Sequence, residues 1–216
     1  MQAVAKGARK PTGKLAGKVQ LFSACDFLIA KGRSLDVVAE ASLVDAHAGL
    51  RGDLDRVSAA SAVCEVCRLC SFEGSRDPFL ARILDRALTA CEEASDQPHL
   101  DVFVAAFVFK VLAREGWRPQ LDGCCLCDDP APTRFSAATG GLLCESCSSR
   151  IEGAEPVDAG QVAWLRSLLG LTFDELLAAP VAPQTAVWLL GCAHVWAATH
   201  LDARLKAMEF CVSGVA

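Results

Sequence analysis

The sequence predicts an α+β protein. A small, basic β unit comes first, followed by a mainly helical domain into which a four-cysteine metal element is inserted. Three observations carry this. β-compatible runs punctuated by glycine fill the first 45 residues. Apolar residues recur at three- and four-residue spacing from about residue 47 onward. Two Cys-x-x-Cys pairs then interrupt the helical texture. The boundaries that follow are 1–45 for the β unit, 46–120 and 151–216 for the helical domain, and 121–150 for the metal element.

The β unit opens with "QAVA", passes through a Gly/Lys-rich loop, and continues with "KVQLFSACDFLIA" and "SLDVVAEASLV". Val19, Leu21 and the Phe27–Ile29 run suit strands, and Gly7, Gly13, Gly17 and Gly32 break them. The loop, "GARKPTGKL" at residues 7–15, imitates the phosphate-binding Gly-x-x-x-x-Gly-Lys-Ser/Thr motif and misses it twice. Five residues separate Gly7 from Gly13 where four are needed, and Leu15 replaces the magnesium-binding hydroxyl. The stretch is basic all the same. Residues 1–33 hold Lys6, Arg9, Lys10, Lys14, Lys18, Lys31 and Arg33 against one acid, Asp26, a net of +6, while the rest of the chain carries −11. A cationic end on an anionic body suits a polyanionic partner; a solvated loop that merely contains lysines fits the charge equally well.

In the helical domain, residues 47–72 space Leu50, Leu54, Val57, Val63, Val66 and Leu69 on a helical period. "DPFLARILDRALTAC" follows, with Asp77 as N-cap and Pro78 at the first helical position. "HLDVFVAAFVFKVLAREG" is apolar on nearly all sides, which makes it the central helix, ended by Gly116 and Pro119. Residues 158–170 and about 184–210 supply the remaining helices. In the last, Val187, Leu190, His194, Ala198, Leu201, Leu205 and Met208 form one stripe, on which His194 reads as a core histidine. The uncharged run Leu176–Leu201 is broken by Pro180 and Pro183, so it reads as a buried helix and not as a membrane span. No signal peptide is visible, and twelve cysteines without one point to a reducing, cytoplasmic compartment.

Cys124-x-x-Cys127 and Cys144-x-x-Cys147, with 16 residues between them, are two knuckles that together complete a tetrahedral four-sulfur site for one Zn2+. Gly140 and Gly141 let the chain turn into the second knuckle. Four thiolates fill the coordination sphere, so the zinc is structural, with no open position for water. Cys125 lies out of phase as a spare thiol. Cys64, Cys67 and Cys70 imitate part of an iron–sulfur motif, but ligands three apart on a regular helix drift around its axis; they read as core packing. No template of a zinc protease, serine hydrolase or zinc deaminase occurs, and no catalytic residue is predicted.

Four stretches carry a family resemblance: "VAKGARKPTGKLAGKVQLFSACDFLIA", "FKVLAREGWRPQLDGCCLC", "RFSAATGGLLCESC" and "DARLKAMEF". Together they resemble the RecO family of bacterial DNA-repair and recombination-mediator proteins, although Ala207 stands where a serine is usual. The resemblance implies an N-terminal OB-fold, a helical domain and a zinc element. It also implies a non-enzymatic protein that binds single- and double-stranded DNA, anneals strands, and works with RecR and the single-strand-binding protein SSB to load RecA. On that basis Lys6, Arg9, Lys10, Lys14 and Lys18, with Lys31 and Arg33, face a DNA backbone, and the protein is cytoplasmic and nucleoid-associated, with no membrane contact. Family members carry further residues ahead of "AVAKGAR" that form the first OB strands. The start is therefore placed late or the member is shortened, and the β unit is expected to leave unpaired edges. Phe22 and Phe27 are the only N-terminal aromatics, so no interleaved platform for stacking bases is expected there. A second reading is a docking module, in which the helical body and zinc element receive a partner protein and the β unit contributes little.

Overall fold

Turns set the shape of the first 45 residues in the computed structural model, which describes residues 2–10 and 12–214. Strands β1 (Ala3–Val4), β2 (Ala24–Ala30) and β3 (Asp36–Asp45) form one sheet in the order β1-β3-β2. β2 and β3 are antiparallel, with register shifts at Ala24/Cys25 and Leu28/Ile29, whereas β1 runs parallel to β3. Between β1 and β2 the chain makes successive turns, closed by Lys10 N–H to Gly7 O, Gly13 N–H to Lys10 O and Ala16 N–H to Gly13 O at 2.8–3.0 Å. A Cβ on Gly13 would lie 2.3 Å from the Gly7 carbonyl oxygen, so this winding requires glycine there. Val19 and Leu21 belong to the turns and not to a strand. Phe22, at φ +66°, bends the chain, and extended pairing starts only at Ala24.

The helical spacing from residue 47 resolves into a 3-10 turn, Ala48–Gly52, and a helix, α1 (Leu54–Leu69). Asp53 separates them because its carboxylate caps α1, accepting from Asp55 N–H and Arg56 N–H at 2.9 and 3.0 Å. α2 (Pro78–Glu93) begins as expected, with Asp77 accepting from Phe79 N–H and Leu80 N–H at 3.0 Å and Pro78 opening the helix. α3 (Gln97–Arg114) has twelve of its eighteen residues buried, which places it at the centre. It ends in a Schellman motif. Gly116 takes φ +100°, Trp117 N–H reaches Leu112 O at 2.8 Å, and Gly116 N–H reaches Ala113 O at 3.4 Å.

The cysteine-rich segment folds as a second small sheet of β4 (Arg134–Ser136), β5 (Gly141–Leu143) and β6 (Glu155–Pro156), with a one-turn helix, α4 (Glu145–Ser148), after β5. The chain continues through α5 (Ala159–Gly170), α6 (Phe173–Ala178), α7 (Pro183–Leu201) and α8 (Lys206–Ser213). α1, α2, α5, α6 and α7 all pack on α3.

Two expectations are corrected here. The single helix predicted over about 184–210 is two helices, because Asp202 adopts a left-handed conformation (φ +45°) that ends α7. α8 then starts against α1: Lys206, Ala207 and Met208 donate their N–H groups to the Glu65 carboxylate at 3.0, 2.9 and 3.4 Å. The buried face of α7 is Ala186, Leu189, Leu190, Ala193, Trp196 and Ala197, while Val187 is exposed and His194 half-buried. Small alanines set this face because they let α7 lie close on α3. Among the described residues, no helix is long and apolar enough to cross a membrane.

Candidate functional site

The metal element is built by one close crossing. Gln120, just beyond α3, lies against the β4–β5 hairpin, with Gln120 N–H to Gly140 O and Leu142 N–H to Gln120 O both at 2.9 Å. Cys125 N–H to Leu142 O, 2.8 Å, extends the pairing and draws the first knuckle alongside β5. That knuckle closes on itself through Asp128 N–H to Cys124 O and Cys124 N–H to Asp129 O, both 2.9 Å. The second knuckle is a helix start: Cys144 caps α4, its Sγ accepting from Cys147 N–H at 3.4 Å.

The crossing brings the Sγ atoms of Cys124, Cys127, Cys144 and Cys147 within 4.8 Å of one another, with Cys127 to Cys144 at 3.7 Å and to Cys147 at 3.6 Å. A tetrahedron of sulfurs around a zinc has edges of about 3.8 Å, so the four residues fit one metal ion. Cys144 N–H and further backbone donors hold the Cys124 thiol down to about 6, while the Cys127 and Cys144 side chains push Cys147 up to about 12. Four neighbouring sulfurs cannot all ionise without a cation among them; a bound divalent ion removes that conflict. Cys125 stays outside, its Sγ directed at Thr139 O at 3.6 Å. Cys64 and Cys67 lie on α1 and Cys70 is its C-cap. Burial raises all three thiols, Cys64 and Cys70 to about 11, as suits packing groups.

The candidate polyanion surface lies in the turns around the first sheet, outside its strands. Lys6, Arg9, Lys10, Lys14, Lys18, Lys31 and Arg33 are all exposed. Among the described residues none of the seven forms an ion pair. Lys18 alone has an internal partner, donating its Nζ to Ala41 O at 3.0 Å, which ties the loop to β3. The register places Val4 and Ala30 on either side of Val37, so the turn bearing Lys31 and Arg33 and the start of the Gly/Lys loop share one end of the sheet. Phe22 packs against the main core and Phe27 is exposed.

Residues 51–209 match the family model described as Recombination protein O C terminal, and residues 1–47 match Recombination protein O N terminal. The chain belongs to the RecO family. It is similar to the DNA repair protein RecO of Desulforudis audaxviator, 31% identical over 209 residues, which covers 95% of this chain and 82% of that protein. The RecO of Rubrobacter xylanophilus is 33% identical over 176 residues, covering 80% and 70% respectively. That of Symbiobacterium thermophilum is 29% identical over 217 residues, covering 97% and 84%. The two RecO matches meet at the 3-10 turn joining sheet to helical body, with the seven cations in the first and the four cysteines in the second.

Other features of this RecO chain have no counterpart in sequence spacing, because their parts come from distant segments. His47 is 1% exposed, and neither ring nitrogen has a hydrogen-bond partner. Asp85, Glu92 and Asp45 stand 3.5, 3.5 and 3.9 Å from it. A groove between α2, α3 and the end of α5 has an apolar floor of Phe79, Ile83 and Leu169 and a rim of Lys110, Arg114 and Arg118. Beside the metal element, Trp117 stacks on His200.

Proposed function

We propose that this chain is a non-enzymatic DNA-binding and strand-annealing protein of recombinational DNA repair, which works with RecR and SSB to help load RecA on single-stranded DNA. The observation that carries this is seven exposed cations in the turns around the first sheet, free of ion pairs among the described residues, in a RecO family chain. Such side chains bind phosphates by releasing counterions and do so without sequence preference, which suits both single and double strands. The three-stranded sheet is the part of the OB-fold that this chain supplies. Cys124, Cys127, Cys144 and Cys147 hold one structural Zn2+, which braces the element against the helical body. The protein acts in the cytoplasm, with the nucleoid DNA.

A second reading has one observation in its favour. The groove of Phe79, Ile83 and Leu169 rimmed by Lys110, Arg114 and Arg118 suits a partner segment carrying both acidic and apolar side chains. In that case the body is a docking module with little DNA binding of its own. Binding to a labelled single strand across a salt series separates the two. Annealing through the cationic turns gives affinity that falls steeply with salt. A folded, metal-loaded chain that stays silent at low salt leaves only the docking function.

A further inference from the structure

The aromatic platform missing from the basic sheet has a counterpart on the helical body. Trp117 is 47% exposed, and its ring lies nearly flat on His200, with centroids 4.6 Å apart at 18°. His200 in turn meets Trp196 edge-on at 4.3 Å, and Trp196, 1% exposed, is packed by Phe109 and Phe135 at 5.7 and 5.6 Å. Burial holds the His200 imidazole below its ordinary value, so the ring behind Trp117 is neutral at neutral pH. The Schellman bond from Trp117 N–H to Leu112 O fixes the backbone, and Pro119, buried, fixes it again two residues on. The result is a rigid π surface backed from the core outward. Arg118, the next residue, is exposed and has no ion pair among the described residues.

We infer that Trp117 and Arg118 form a second contact for single-stranded DNA, Trp117 stacking a base and Arg118 meeting a phosphate. This rests on the DNA-binding function proposed above. Stacking on an exposed aromatic needs an unpaired base, so the contact discriminates single strands from duplex, which cations alone do not.

The test is equilibrium binding of the full chain to three ligands of equal length: oligothymidylate, an abasic single strand and a duplex. The wild-type chain is expected to prefer oligothymidylate over the abasic strand by about tenfold. Trp117→Ala is expected to erase that preference and leave the abasic and duplex affinities unchanged. Arg118→Ala is expected to weaken both single-stranded ligands and lower the salt slope by about one. Tryptophan fluorescence quenched by oligothymidylate is expected to lose most of its amplitude in Trp117→Phe, a variant that keeps an aromatic ring in place. A Trp117→Ala chain with its preference intact, or quenching undiminished in Trp117→Phe, overturns the assignment while duplex binding leaves the wider function standing. Failure of the wild-type chain to bind any of the three ligands sinks both.

Discussion

A Cβ on Gly141 would lie 2.3 Å from the Gln120 carbonyl oxygen, so the crossing that assembles the metal element has room for a hydrogen and nothing larger. Gly141→Ala is therefore expected to break the Gln120–Leu142 pairing, draw Cys124 away from Cys144, and speed metal release to a chromophoric chelator by tenfold or more, about 1.4 kcal/mol. Release at the wild-type rate would count against this. A different residue sets a pH dependence. Asp101 is 3% exposed, and burial raises its carboxyl from 3.8 to about 6. Its folded value lies above its unfolded one, so the stability it contributes is full below about 3.8 and is lost as pH rises through about 6. Asp101→Asn, which can still accept from Gln97, is expected to raise the unfolding free energy measured in urea above pH ~7 by on the order of 2 kcal/mol and to flatten its slope with pH. An unchanged slope would mean that Asp101 is not the group responsible. At this scale the sequence was readable wherever cause and effect lie within one turn. Asp77 with Pro78 identifies itself as a helix start, and the Cys-x-x-Cys knuckles identify themselves by spacing. Trp117 on His200 does not, because 83 positions of chain separate two rings that meet only in the folded molecule.

Among the elements, the four-cysteine insert is the one whose stability is borrowed. Its own core is Cys124, Leu143 and Cys144, with Cys125, Cys147, Ile151 and Ala154 around them. Phe135, Ala137 and Leu142 belong instead to the main core. Stripping the metal, or replacing Cys127 with serine, is expected to lower Tm and release the hairpin while the helices persist. Because Phe135 packs on Trp196 at 5.6 Å, a red shift of tryptophan emission should accompany the loss. Far-UV dichroism together with emission checks this, and collapse of the helical signal at the same chelator concentration would show that the insert is not separable. The positions of α1, α2, α5 and α7 came through from periodicity because each buries a face on α3, whereas those of the short α4 and α6 did not come through. The break at Asp202 did not, since α7 and α8 both turn apolar residues inward and their stripe runs on across a left-handed residue.

The whole molecule is divided by charge, +6 over residues 1–33 and −11 over the remainder, and this division predicts how it meets DNA. Replacing Lys6, Arg9, Lys10 and Lys14 with alanine is expected to lower the salt slope of single-strand binding by about 3, at roughly 0.7 per phosphate released. A slope that does not change would place the DNA elsewhere on the surface. This division was legible from the sequence, as was the mixed α+β character of small sheets and several helices. Sheet topology was not, because β1 pairs with β3 across the whole of β2 and the Gly/Lys turns. The link between α1 and α8 spans the chain still more widely, with Glu65 bonding the amide of Lys206 at a separation of 141 residues. On the ribosome, α1 is made early and must wait for residues 206–208 before its carboxylate has the amides it caps. Until then the side of α1 that α8 packs against lacks its cover. A nascent chain stalled before that point would be a substrate for chaperones, and the body would close only as its last helix emerges.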